Sequence, residues 1–292
     1  MDITTIILTY NEEIHIERCI SNAQKISKKV IVVDSFSTDA TCNIAKGLGA
    51  EVFQHKFVNQ ADQLQWALDN IEVDTEWVLR LDADGYLLQP LIEEIEEKLP
   101  NLPENVTGCI FPRDVVFLGK KLRYGKIKSP AFLRLWRNGN AFIEQRWMDE
   151  HAILKEGEAY TFKNHFVDHS LHNLTWWTQK HNNYSNREIV VELSKNFRIY
   201  EETDSMKARN SQKSLYYRLP IFLRASMYFF IRYFILLGFL DGKAGLAWNF
   251  LQGFWYRFLI DSKMHELQLA LGENPSDANV KRYIKEEYGI DI

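Results

Sequence analysis

Trp77-Val78-Leu79-Arg80-Leu81-Asp82-Ala83-Asp84 is the stretch that decides the fold of this chain. Residues 77 to 81 form a short, largely apolar run that reads as a buried strand. Two carboxylates follow it at once. A strand ending this way sets both at its carboxyl end, within reach of a divalent cation or a ribose, and open α/β sheets bind ligands at that edge. Acidic turns are common after strands, so the weight of the motif comes from the residues before it.

Those residues alternate between strand and helix. Ile3 to Leu8 reads as a buried strand, and Asn11-Glu12-Glu13 as a polar helix start with Ile14, Ile16, Cys19 and Ile20 following. Val30-Ile31-Val32-Val33 is a second strand ending at Asp34. Ser37-Thr38-Asp39 offers capping groups to a helix running to Lys46, with Asp39 the capping residue. Ala50 to Phe53 is a third strand, residues 60 to 70 a helix, and residues 77 to 81 the fourth strand. This order predicts an α/β fold with a mostly parallel sheet and helices on both faces. Three polar clusters then face one edge: Thr9 to Glu13, Asp34-Ser35, and Asp82-Ala83-Asp84. Neither a Gly-x-Gly-x-x-Gly fingerprint nor a P-loop is present, so a nucleotide would be held by carboxylates, backbone groups and a metal.

Composition narrows the class. The 292 residues carry 35 Lys and Arg against 39 Asp and Glu, a net −4 that gives no reason to expect nucleic acid. Cys19, Cys42 and Cys109 make no metal motif and point to a reducing compartment. The chain opens on a core strand, so no signal peptide is expected. Two basic zones stand out. Residues 113 to 137 hold Arg113, Lys120, Lys121, Arg123, Lys126, Lys128, Arg134 and Arg137 against Asp114 alone. Residues 205 to 263 carry nine Lys or Arg against Asp241 and Asp261, together with 15 aromatic residues. Charges interrupt every apolar run there. The longest uncharged stretch, residues 244 to 256, is too short to span a bilayer, which takes about 20 apolar residues as a helix. Basic and aromatic content without a full span suits helices lying in a membrane interface. Residues 263 to 292 look amphipathic and carry no chemistry.

Thr9-Tyr10-Asn11-Glu12, Val32 to Asp39 and Leu81-Asp82-Ala83-Asp84 resemble the three N-terminal signatures of family 2 glycosyltransferases of the GT-A fold. More narrowly, the chain is similar to the lipopolysaccharide-core glucosyltransferase-like branch, through Leu133 to Arg137, a later acidic-His segment and a Gly238 to Gly242 element. The resemblance implies a GT-A catalytic domain over residues 1 to 200 and a membrane-associating helical region over 201 to 292. It implies inverting transfer of a hexose from a nucleoside diphosphate sugar, a UDP-sugar first, to a lipid-linked glycan at the inner face of the cell membrane, in lipopolysaccharide or surface polysaccharide synthesis. Asp84 is expected to bind Mg²⁺ or Mn²⁺, with Asp82 on the ribose or assisting the metal and His169 near the metal or diphosphate. Asp34 is expected to read the base or ribose, with Thr9 and Glu12 lining the same pocket. Within Trp147-Met148-Asp149-Glu150-His151, the narrower branch favours Glu150 as general base over Asp149.

Residue chemistry adds two readings. His165, His169 and His172 have the spacing of a helix face, but Phe166-Val167-Asp168 reads as a strand, which would scatter them. In the run Phe132 to Arg137, strand alternation makes Arg134 and Arg137 diverge, so at most one enters a cleft, where a guanidinium can bind a phosphate bidentately. Three other functions remain open at this level. A polyprenyl-phosphate sugar synthase would need no strong base. A sugar-phosphate nucleotidyltransferase would want a glycine-rich loop after the first strand. The third is a non-catalytic nucleotide-binding module at a membrane.

Overall fold

The computed structural model describes residues 1–126, 131–193, 216, 219–272 and 275–291. The chain forms two compact units, Met1–Leu122 with Lys128–His172, and Arg123–Ile127 with Asn173–Ile292. The boundary expected at 200/201 lies outside the described residues. The second unit takes up the chain already at Asn173.

The first unit follows the alternation read from the sequence: β1 (Ile3–Thr9), α1 (Ile16–Ala23), β2 (Lys29–Asp34), α2 (Thr41–Gly47), β3 (Glu51–Gln54), α3 (Gln60–Asn70) and β4 (Trp77–Asp82). β1 pairs with β2 and β4, and β2 with β3, all in parallel. The spatial order β3-β2-β1-β4 means the chain doubles back between β3 and β4. That reversal opens a switch point between β1 and β4, at the carboxyl ends where the signature residues sit. β5 (Gly85–Leu87), α4 (Gln89–Lys98), β6 (Val106–Phe117), β7 (Lys120–Lys121), β8 (Ala131–Arg137), β9 (Ala141–Ile143), β10 (Ala152–Leu154), β11 (Glu158–Thr161) and β12 (Phe166–Asp168) complete the unit. β8 adds to β4 antiparallel, and β6, β12 and β5 continue the sheet. β9 and β10 form a separate hairpin. The fold is mixed α/β with a parallel core, as expected of a GT-A architecture.

Alternation along the strands explains the two-sided burial. Ile3 and Ile7 of β1, Val30 and Val32 of β2, and Leu79 and Leu81 of β4 pack with α1 and α4. Ile6, Ile31, Val33 and Val78 point the other way, against α3 and the β9–β10 hairpin. A strand buried on both faces needs the near-continuous apolar runs these segments show. In α1, Ile16, Cys19, Ile20 and Ala23 recur at helical spacing and are buried. That helix starts later than the polar Asn11-Glu12-Glu13 segment suggested. Asn11 lies in the left-handed region at φ 54°, and residues 11 to 15 form a turn that leaves Ile14 exposed. The turn is stitched to the loop after β2. Asn11 N–H donates to Ser37 Oγ at 2.8 Å, Glu12 N–H to Thr41 Oγ1 at 2.8 Å, and Thr38 N–H to Asn11 Oδ1 at 2.8 Å. The N-cap of α2 is Ala40, which gives no side-chain cap; Asp39, one residue earlier, accepts from Thr41 N–H at 3.0 Å.

The second unit is helical: α5 (Leu174–Leu193), α6 (Leu223–Phe230) continued by a π-helical turn Ile231–Ile235, a 3₁₀ turn Gly238–Asp241, α7 (Gly242–Trp248), a π-helical stretch Asn249–Trp255, α8 (Tyr256–Leu271) and α9 (Asp277–Tyr288). Among the described residues no single helix is long and apolar enough to cross a membrane. One pair, Leu223–Ile235 and Gly238–Leu271, meets that length and hydropathy together but is bent by 71°.

Candidate active site

The three signature clusters meet at the carboxyl ends of β1, β2 and β4. Thr9 and Asp34 are register partners across β1 and β2, and Thr9 Oγ1 donates to Asp34 Oδ1 at 3.1 Å. Asp34 is fully buried and also accepts from Ser37 N–H at 2.8 Å and from the Ser37 hydroxyl. Burial alone would raise its pKa; the hydrogen bonds from Ser37, Cys42 and Gln54 outweigh it and hold the carboxyl below its ordinary value. Asp34 is thus a fixed carboxylate at the β2 end of the edge. The exposed rings of Tyr10 and Phe36 lie in the loops that follow β1 and β2.

Glu12 is drawn elsewhere. Its carboxylate lies 2.5 Å from His15 Nδ1 and 4.0 Å from His172 Nε2. Among the described residues Glu12, His15 and His172 group their donor atoms closely enough to suggest a metal. The hydrogen bonds argue against one. His15 is buried, its Nε2 accepts from Leu171 N–H at 2.7 Å, and its Nδ1–H is therefore the donor to Glu12. With both nitrogens engaged, His15 anchors the Glu12 turn to the segment after β12. The three spaced histidines scatter, as the strand reading required: His165 faces Asp114 at 3.1 Å, and His169 follows β12.

β4 delivers the decisive groups. Asp82, about one-third exposed, accepts from Arg134 Nη2 at 2.9 Å and from Arg80 Nη2 at 3.4 Å. Arg80 Nη2 also binds Glu150 Oε1 at 2.6 Å. Glu150 lies in the loop of the β9–β10 hairpin, which Glu144 N–H closes on His151 C=O at 2.9 Å. Asp149, beside it, is exposed and left-handed at φ 57°. The pairing of Val78 with Trp136 sets Arg80 and Arg134 on one face of the sheet, the face that carries this hairpin. Arg137 diverges, stacking on Trp77 and pairing with Glu76. Arg134 is 6% exposed, and its Nε and Nη1 have no acceptor among the described residues. Donors buried in this way carry a desolvation cost that an anionic oxygen would offset.

Asp84 sits beyond, in a tight turn where a Cβ at Gly85 would come 3.0 Å from the Asp82 carbonyl. His169 N–H donates to the Asp84 carbonyl at 3.1 Å, so the strand pair β12–β5 brings His169 beside Asp84. Arg18 of α1 closes this corner. Its Nη2 donates to the carbonyls of Asp84 (3.0 Å) and His169 (2.7 Å), and its Nη1 lies 3.4 Å from His169 Nδ1. A guanidinium has no lone pair to offer, so His169 accepts through Nδ1 and the neutral ring carries its hydrogen on Nε2. Burial, then Arg18 and His15, keep the His169 pKa below its ordinary value.

Comparison with known proteins decides the family. The model of glycosyl transferase family 2 matches residues 4–163, more than half of the chain. The chain belongs to glycosyl transferase family 2. An uncharacterized glycosyltransferase of Rickettsia typhi is 45% identical over 94 residues, 32% of each chain. The lipopolysaccharide core biosynthesis glycosyltransferase LpsC of Rhizobium meliloti is 24% identical over 164 residues, 54% of this chain and 59% of that one. The alignments thus span about a third of the length of the Rickettsia relatives. Among solved structures, Staphylococcus aureus TarS in complex with UDP-GlcNAc covers 94% of this chain and 93% of its own at 12% identity, with a TM-score of 0.46.

Sequence reading named Thr9, Glu12, Asp34, Asp82, Asp84, Arg134, Asp149, Glu150 and His169. The fold gathers Asp82, Arg134 and Glu150 into one network and sets Asp84 beside His169. It missed Arg80 and Arg18, the two cations that tie these groups together. Arg80 interrupts an apolar strand, which is a usable signal, because a buried charge demands a partner. Arg18 sits on a polar helix face and gives none. Glu94 was also missed. It accepts from the backbone N–H groups of Lys163 and Asn164 and fixes the turn into β12.

Proposed function

We propose that this glycosyltransferase moves a hexose, with inversion, from a nucleoside diphosphate sugar to a lipid-linked glycan acceptor in lipopolysaccharide or surface polysaccharide synthesis. The observation that carries this reading is Arg80, which bonds Asp82 on the donor side and Glu150 on the other from a single guanidinium. A carboxylate for the donor and a base for the acceptor are thereby tied to one guanidinium. Asp34, positioned by Thr9 and Ser37, accepts from the base or ribose of the nucleotide, and the exposed rings of Tyr10 and Phe36 offer stacking faces. Arg134 presents its Nε–H and Nη1–H groups to a phosphate oxygen. Glu150, oriented by Arg80, takes the proton of the acceptor hydroxyl. Asp149 is the poorer base, because it is exposed on left-handed backbone whereas Glu150 is held by the Arg80 guanidinium.

The residues fit a hard divalent cation at Asp84. Mg²⁺ and Mn²⁺ favour oxygen ligands, and Mg²⁺ commonly takes one or two carboxylates alongside substrate phosphates. Asp82, held by two guanidiniums, is better placed for the ribose than for the ion. When bound, the cation neutralises charge on the departing diphosphate. His169, with Nδ1 turned to Arg18, serves as a hydrogen-bond donor to a diphosphate oxygen through Nε2 rather than as a metal ligand. The helical unit holds the enzyme at the inner face of the cell membrane, where a lipid-carried acceptor resides.

A panel of nucleotide sugars, UDP-sugars first, assayed for Mn²⁺-dependent hydrolysis and transfer tests this reading, with Asp84→Ala as the control that abolishes the signal. Consumption of a nucleoside triphosphate would point instead to nucleotidyl transfer, and transfer surviving Glu150→Gln to a phosphate nucleophile.

A further inference from the structure

The stretch Ile221 to Phe258 is built inside-out. Its buried residues are Arg224, Arg232, Asp241 and Asn249, with only Ala225, Gly238, Ala244, Gly245 and Gly253 beside them. Many of its large apolar side chains face outward: Phe230 54% exposed, Phe234 48%, Ile235 61%, Leu237 44%, Phe239 43% and Leu240 49%. A helical pair in water buries its apolar stripe and exposes its charges. Here the charges are the core, and each has its partners inside. Arg224 Nε donates to Asp261 Oδ1 at 2.7 Å. Arg232 Nε donates to the Gly125 carbonyl at 2.8 Å, and Asn249 Nδ2 to the Gly245 carbonyl at 2.7 Å. Asp241 accepts from the N–H groups of Arg123 and Tyr124 at 2.9 Å each.

The small residues let the backbones close on this polar core. A Cβ at Gly245 would come 2.4 Å from the Gly238 carbonyl, and one at Gly238 would come 2.6 Å from Asn249 Nδ2. Small residues at close backbone contacts, and polar side chains satisfied inside the bundle, are what a hydrocarbon solvent selects.

We infer that residues 223–235 and 238–258, which belong to the pair Leu223–Ile235 and Gly238–Leu271 bent by 71° at their junction, form a re-entrant hairpin embedded in the acyl region of one bilayer leaflet. This deepens the membrane reading proposed above and changes its physics: the arginines do not reach for headgroups, and the apolar outer face carries the binding. The first arm has 13 residues, about 20 Å at 1.5 Å per residue, short of a core about 30 Å thick. Lys243 is the exposed charge in residues 221–258. Its long stem lets the ammonium rise to lipid phosphates and so limits the depth.

The test uses the full chain with Cys42→Ser, since Cys19 and Cys109 are buried. An environment-sensitive fluorophore is placed at Phe239→Cys and, separately, at Ile235→Cys, with Leu118→Cys in the first unit as reference. Vesicles are phosphatidylcholine with phosphatidylglycerol. Insertion shifts emission at 235 and 239 to the blue, lowers iodide quenching several-fold, and gives quenching by acyl-chain bromines; position 118 stays unchanged. Iodide access at 235 and 239 that is unaltered by vesicles overturns the proposal. So does shielding of both positions without lipid in a sedimenting dimer, which assigns the face to a second copy. Mn²⁺-dependent donor hydrolysis by the parent chain without lipid reports on the glycosyltransferase reading independently.

Discussion

Glu150 and Asp84 are expected to fail differently when changed, because one acts on the acceptor and the other on the donor. Glu150→Gln keeps the shape but removes the base; kcat should fall about 10²- to 10⁴-fold with donor affinity nearly intact. Asp84→Ala should remove Mn²⁺-dependent UDP binding, read by calorimetry, along with turnover. Arg18→Gln tests the His169 assignment. Two-bond ¹H–¹⁵N spectra of the parent should show the Nε2–H tautomer; the variant should lose that preference and weaken UDP binding about tenfold, the scale of one hydrogen bond to a charged group. A parent ring protonated on Nδ1 would return His169 to the metal. At this scale the sequence was legible where a side chain has a local role: Asp39 accepts from the first N–H of α2 and Asp34 ends β2. It was not legible where partners come from distant strands. Arg80 meets Glu150 only because the β9–β10 hairpin covers that face of β4, a fact of topology.

The elements carry their own tests. Asp261 accepts from Phe222 N–H at 2.7 Å and binds the Arg224 guanidinium, with Glu192 3.4 Å from the same arginine. Asp261→Asn leaves a buried cation short of charge and should cost about 3–5 kcal/mol, seen as a lower unfolding midpoint of the detergent-solubilised chain. Glu94, whose pKa burial raises but Lys163 and Asn164 hydrogen bonds pull below its ordinary 4.5, stabilises the turn into β12. A depressed carboxylate contributes fully above the unfolded value and loses its contribution as pH falls through the folded one. Stability should therefore be flat above about pH 4.5 and decline below it, and Glu94→Gln should reduce that decline. The parallel strands were legible because burial on both faces writes continuous apolar runs. The interior of the second unit was not: Arg224 and Arg232 read as interfacial charges by composition, and only the packing shows them turned inward.

The chain joins a parallel-sheet unit, whose strand ends carry the candidate site, to a helical unit whose residues 221–258 turn large apolar side chains outward. Activity on a water-soluble acceptor should then be insensitive to vesicles, whereas transfer to a lipid-carried glycan should rise when vesicles hold both partners; equal rates with and without vesicles would separate the helical unit from acceptor capture. The central claim is direct displacement at a sugar carbon by a hydroxyl that Glu150 deprotonates, with the diphosphate held at Asp84. Real-time ¹H NMR of Mn²⁺-dependent turnover of a UDP-α-hexose tests it. The account requires the newly formed sugar to appear first as the β anomer, and to be absent with Asp84→Ala. A product appearing first as the α anomer, or turnover unchanged in Asp84→Ala, would contradict it.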